Sequence, residues 1–247
     1  MQSENSKTGT RTSENIKIKS SEDLTNIQKI IAERMMKSQA VPHLFQKVKA
    51  DTSSLISLKG EIQKELYSVN KTKVTFTDFL IKISAKALRD YIEINSSYDN
   101  HKYTIYDDVN IGLAISANNT LVVGTIYNAD KLGIHDIARR RIELICRAEK
   151  QKLSAADVKY STFTITNVGM YGIRSGYGII NPPQAAILAV GEIYVEPAII
   201  DEKILPRSFI EISISADHRI INGDLSAKFL HKIAYLIENP EIIFENV

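Results

Sequence analysis

The chain has 247 residues, enough for one large domain or two small ones. Its 31 Lys and Arg against 29 Asp and Glu leave a formal charge of +2, which argues against a nucleic-acid or membrane surface built on bulk charge. The single cysteine, Cys146, excludes an intrachain disulfide and fits a reducing, cytoplasmic setting, and no apolar run approaches the ~20 residues needed to cross a bilayer.

Residues 1–22 are rich in Ser, Thr, Asn, Lys and Glu. With so little apolar surface to offset ordering entropy, they read as a flexible polar tail or linker remnant. Residues 23–247 read as one domain. Ile27, Ile30, Ile31, Arg34 and Met35 at helical spacing predict a helix ending near Gln39, before Pro42. An extended segment over Leu44–Asp51 precedes a helix from Ser53 to Leu66. A second helix is expected over Thr77–Tyr91, capped by Thr77 or Asp78, with Phe79, Leu80, Ile83, Ala87 and Leu88 on one stripe.

Val109–Ser116 and Leu121–Tyr127 are short apolar runs around Asn118-Asn119, the pattern of a hairpin. Ile134–Lys152 is helical and heavily basic, with an expected solvated face and Cys146 as a buried thiol. Strands are expected at Ser161–Thr166, Ala185–Val195 and Ser208–Ser215. A last helix over Asp224–Ile237 places Leu225, Phe229, Leu230, Ile233 and Leu236 on an apolar face, and Pro240 ends it. No repeat is visible. The mixture is α/β.

The densest chemistry is Asp217-His218-Arg219, at the end of the alternating strand. An imidazole held there is well placed as a general base. Asp217 and Arg219 read as ion-pairing supports, and Gly223 as a residue that releases the backbone. Upstream, Thr166 ends a strand that runs into Asn167-Val168-Gly169, and Asn181-Pro182-Pro183 stiffens the approach to a buried strand. Read alone, Thr166 is a strand residue and Asn222 an N-cap. His101, His135 and His231 show no ligand spacing, so no metal site is expected.

Three pieces carry a resemblance in this order: Phe163-Thr164-Ile165-Thr166-Asn167-Val168-Gly169, Ile180-Asn181-Pro182-Pro183-Gln184-Ala185-Ala186, and Ser215-Ala216-Asp217-His218-Arg219. With Ile27–Met35 and Val41-Pro42-His43 they resemble the catalytic domain of the dihydrolipoamide acyltransferases of 2-oxoacid dehydrogenase complexes. The resemblance implies a chloramphenicol-acetyltransferase-like mixed sheet with flanking helices. It implies a homotrimer with its active site at the subunit interface, and further assembly into a cage. The activity implied is acyl transfer between a dihydrolipoyl thiol and coenzyme A. No lipoyl domain is recognised in the sequence, so the lipoyl group is expected from a domain outside this chain, and other subunits of the complex are the expected partners.

In that family frame His218 is the base, Thr166 supplies the oxyanion-stabilising hydroxyl and Asn222 holds the loop. Gly169, Asn181, Pro182 and Pro183 fall along the substrate channel, Arg34 becomes a partner for the Asn222 region, and His43 lies near a subunit contact. Two positions depart from the usual pattern: Thr166 replaces a serine and Asn222 an aspartate. Both keep hydrogen-bonding capacity, and Asn222 gives up the charge. A weakened, scaffold-only core is the competing expectation, and Pro240–Phe244 is an expected apolar anchor between trimers. Acyl-chain preference stays open, because one methylene of pocket volume is worth only ~1–3 kcal/mol.

Overall fold

The computed structural model describes residues 18–70, 72–118 and 120–244. Most of the polar tail expected over 1–22 therefore lies outside the described residues, as do Asn119 and Glu245–Val247. In chain order the elements are α1 (Asn26–Gln39), β1 (His43–Asp51), α2 (Ser53–Asn70), α3 (Phe76–Asp90), β2 (Ser96–Asp99) and β3 (Lys102–Ile105). They continue with β4 (Ile111–Ala117), β5 (Thr120–Ile126), α4 (Ile134–Glu149), β6 (Phe163–Asn167), β7 (Ala186–Ile200), β8 (Lys203–Asp217), α5 (Gly223–Glu238) and the short α6 (Glu241–Phe244).

Six strands form one mixed sheet in the order β1-β8-β7-β6-β4-β5. The pairs β4–β6 and β6–β7 are parallel; the others are antiparallel. Alternation along the strands then decides what each face meets. Phe163 and Ile165 of β6 and Ile210, Ile212 and Ile214 of β8 point into the core beneath the helices. Phe163 meets Phe229 of α5 edge-on, with ring centroids 5.7 Å apart. The opposite face carries Thr164, Thr166, Ser213 and Ser215, and the segment 168–184 lies across it. There Ser213 Oγ donates to the Gly176 carbonyl, and Thr164 Oγ1 donates to Gln184 Oε1 at 2.6 Å.

Several expectations need correction. The cap of α3 is Thr75, not Thr77 or Asp78; Asp78 sits at the third helical position and completes a capping box. Its buried carboxylate accepts from Thr75 N–H at 2.7 Å and also receives Arg141 of α4, with Nε 2.7 Å from Oδ1. The basic helix α4 has the expected solvated face, with Arg139, Arg140 and Arg147 exposed, and turns Arg141 inward. Cys146 is partly exposed, not buried. α2 runs four residues past the expected Leu66.

The hairpin β2–β3, which sequence reading missed, turns through Asn100 and His101 at φ 47° and 63°. β7 and β8 also run further than expected, as a two-stranded arm pairing Pro197 with Pro206 and turning at Asp201-Glu202. Proline normally vetoes a central strand. β6 stops pairing at Val190 and β1 at Phe209, so beyond those points both strands of the arm are edges and tolerate it.

Candidate functional site

β8 ends at Asp217 and the chain turns sharply into α5. The Asp217 carbonyl accepts from the N–H groups of Ile220 and Ile221 at 3.1 and 2.9 Å, and His218 N–H donates to the Pro42 carbonyl at 2.9 Å. His218 is thereby held on exposed backbone at the mouth of the β1–β8 ladder. Its Nδ1 lies 3.1 Å from the Ile221 carbonyl. A carbonyl oxygen only accepts, so Nδ1 carries the proton, and Nε2, which has no hydrogen-bond partner among the described residues, holds the lone pair of the neutral ring. That is the tautomer a base requires.

Asp217 is buried and Arg219 grips it from two residues away. Arg219 Nε lies 2.9 Å from Oδ1 and Nη2 2.6 Å from Oδ2, and the Arg219 N–H adds a bond at 3.0 Å. The hydrogen bonds it donates to Asp217 push the guanidinium pKa further up, so Arg219 keeps its charge. Arg219 also stacks on Tyr98 of β2, 4.3 Å from the ring centroid. The two charges fix the turn, and neither is hydrogen-bonded to the His218 ring.

Asn222 caps α5, its Oδ1 accepting from Leu225 N–H at 2.8 Å. Arg34 stands exposed on α1 and has no hydrogen bond to Asn222, so the pairing expected between them is not formed within one chain. Gly223 is the first residue of α5 and does not take a left-handed conformation; among the described glycines only Gly172 does, at φ 73°. The contribution of Gly223 is its carbonyl, which accepts from Gln46 Nε2 at 3.0 Å. The backbone release expected of it is absent.

Thr166 is half-buried near the end of β6, and its hydroxyl has no hydrogen-bond partner among the described residues. It pairs with Ala189, which pairs in turn with Ser213. His218 therefore lies two strands across and five residues along from the level of Thr166. At about 4.8 Å per strand and about 3.3 Å per residue, this is on the order of 19 Å. One chain does not bring the two together.

The four channel positions divide in the same way. Gly169 sits near Thr166, in a 3₁₀ turn pressed on the backbone of Gly191 and Glu192 at the bulge of β7, where a Cβ has no room. Asn181, Pro182 and Pro183 lie at the other end, next to the His218 turn: Pro182 and Pro183 line a cleft of about 390 Å³ with Lys37, Tyr98, His101 and Arg219. Sequence reading missed Tyr98 as part of this neighbourhood. The only signal for Tyr98 was the turn-forming Asn100-His101 that follows it.

The chain matches the family described as the catalytic domain of the 2-oxoacid dehydrogenases acyltransferases over residues 17–245. A Rickettsia prowazekii protein, the dihydrolipoyllysine-residue acetyltransferase component of a pyruvate dehydrogenase complex, is 34% identical over 219 residues, covering 88% of this chain and 54% of that protein. The chain thus spans about half the length of the curated relatives it matches. A crystal structure from Listeria monocytogenes 4b F2365, described as a probable dihydrolipoamide acetyltransferase, is 36% identical with a TM-score of 0.86, covering 92% of this chain and 97% of that one.

The dihydrolipoamide acetyltransferase of Azotobacter vinelandii is 28% identical with a TM-score of 0.84, covering 91% of this chain and 93% of that chain. It has been studied for the role of a serine, a histidine and an asparagine in its catalytic mechanism, at spacings of 52 and four residues. Thr166, His218 and Asn222 stand at the same spacings. A chloramphenicol acetyltransferase shares the fold at 14% identity and a TM-score of 0.51, covering 83% of this chain and 94% of that one.

Proposed function

The chain belongs to the family of 2-oxoacid dehydrogenase acyltransferase catalytic domains, and from that premise we propose that it moves an acyl group between a dihydrolipoyl thiol and coenzyme A. The observation that carries this reading is the state of His218. Its Nδ1–H is spent on the Ile221 carbonyl, and on this exposed residue Nε2 has no partner among the described residues. An alkyl thiol with pKa ~8.5 is only a few per cent thiolate at neutral pH, so the reaction needs such a base.

His218 Nε2 takes the proton from the attacking thiol. The sulfur adds to the thioester carbonyl, and the tetrahedral oxyanion accepts a hydrogen bond from the Thr166 hydroxyl. Collapse breaks the original carbon–sulfur bond, and the departing thiolate recovers the proton from imidazolium. No electron is gained or lost. The base contributes on the order of 10²–10⁴-fold, and one oxyanion donor ~3 kcal/mol.

Since His218 and Thr166 are far apart within a chain, the reaction joins His218 of one copy to Thr166 of another, as expected for a homotrimer. The unpartnered Thr166 hydroxyl and the exposed His218 both support this arrangement. Coenzyme A and a lipoyl group on a separate domain are the substrates, further subunits of the complex the partners, and a cage the larger assembly. Asn222 serves by capping α5 directly behind the His218 turn. Residues 1–22 are taken as a polar tail or linker remnant, and the lone Cys146 fits a cytoplasmic setting.

The test is acyl transfer from acetyl-, isobutyryl- and succinyl-coenzyme A to dihydrolipoamide, comparing the wild type with His218→Ala. A fall of about 10²-fold or more supports the base. Wild-type activity no higher than that of the variant, with every donor, sinks the proposal.

A further inference from the structure

His43 opens β1 directly opposite Asp217 in the ladder. Its Nδ1 lies 2.7 Å from the Val41 carbonyl, and its Nε2 lies 3.4 Å from the backbone nitrogen of Ile180. The first contact requires a donor and the second an acceptor. Only the neutral Nδ1–H imidazole provides both. The ring is seated by stacking on Phe45, with centroids 5.6 Å apart and planes 19° from parallel.

The two segments it joins both border the His218 turn. Pro42, next to Val41, gives its carbonyl to His218 N–H. Pro182 and Pro183, two and three residues after Ile180, line the cleft beside Arg219. Ile180 is held on both sides, since its carbonyl accepts from Ser38 Oγ at 2.6 Å while its side chain joins Val41 and Ile187 in a small buried cluster. Without His43, the Ile180 N–H loses its one partner among the described residues and the Val41-Pro42 segment loses its tie to the cleft wall.

We propose that His43 is a positioning residue for the His218 turn, acting as a neutral imidazole clamp between Val41-Pro42 and Ile180. The proposal rests on the role given above to His218. Protonated, the ring places an N–H against the N–H of Ile180 and the clamp opens. The ionisable groups on the elements packed around it are Asp217 of β8, already held by Arg219, Lys37 in the last turn of α1, and His218 itself.

The experiment compares the whole chain as wild type, His43→Phe and His43→Gln by amide hydrogen exchange, with kcat and KM for coenzyme A measured in parallel. Phenylalanine keeps the stacking ring and removes both bonds; glutamine keeps one donor and one acceptor and does not titrate. Expected in His43→Phe is exchange about tenfold faster at Ile180 and His218, the scale of one or two lost hydrogen bonds, with a lower kcat and little change in KM. Glutamine restores protection and turnover.

Unchanged protection in His43→Phe overturns the proposal, as does lost protection with unchanged kcat. A glutamine variant that behaves like phenylalanine overturns it too. A wild type without acyl transfer overturns the functional reading, and the exchange comparison then decides the clamp alone.

Discussion

Thr166 and His218 stand at opposite ends of the central strands and two ladders apart: Thr166 is level with Ser213, five residues before His218 on β8. The hydroxyl of one and the free Nε2 of the other can meet only across copies of the chain. In the proposed reaction that relationship makes the assembly part of the chemistry, and it can be tested directly.

His218→Ala and Thr166→Ala, each prepared alone, are expected to be nearly inactive. When equal amounts are unfolded together and refolded, some sites pair an intact histidine with an intact threonine from a neighbour. Random mixing in a closed ring returns about a quarter of wild-type activity. Recovery no greater than the sum of the two separate variants would place both groups in one chain and contradict the ladder register.

Thr166→Ser is expected to keep most activity, because the hydroxyl remains and only the β-branch is lost. Thr166→Val keeps the shape and loses the donor, so kcat falls by about 10²–10³-fold. Equal kinetics for the serine and valine variants would show that the hydroxyl does no work.

The Asp78–Arg141 pair joins α3 to α4, with side-chain exposures of 0% and 11%. Arg141→Met strands a buried carboxylate that keeps only its Thr75 cap bonds. A loss of about 3–5 kcal/mol is expected in chemical denaturation. A loss under 1 kcal/mol would mean that water reaches Asp78.

Acid stability has a traceable source in Glu211. Its pKa is lowered, first by the hydrogen bond from Lys47 at 2.7 Å, against the opposing effect of desolvation. A depressed carboxylate contributes stability above its unfolded pKa, near 4.5, and loses it as pH falls through the lower folded value. Glu211→Gln is therefore expected to flatten the fall in stability below pH 4.5. Denaturation midpoints measured from pH 6 to pH 3 check this; a parallel fall in both proteins would show that Glu211 is not a source.

The α/β class and most elements were legible in the sequence, because burial on one face writes a period of 3.6 or 2 into a chain. α1, α5 and the ends of β6 and β8 near the site follow from that pattern alone. The arm of β7 and β8 was not legible. Pro197 and Pro206 forbid a central strand, and only the tertiary fact that both strands are edges beyond Val190 and Phe209 lifts the prohibition. Arg141 hid in a run of basic residues, since local pattern does not say which arginine meets a buried acid from another helix.

By itself the sequence determined which groups are available: a histidine and a hydroxyl 52 residues apart, with an acid and a guanidinium flanking the histidine. Motif order and residue type carry that information because chemistry resides in side chains. Only the tertiary structure decided how they are disposed. Asp217 and Arg219 spend their charges on each other, Asn222 is consumed as a cap, and Thr166 is left unpartnered at the far end of the sheet. Strand order and register set those relations, and both depend on pairings between residues far apart in the chain, which no local pattern encodes.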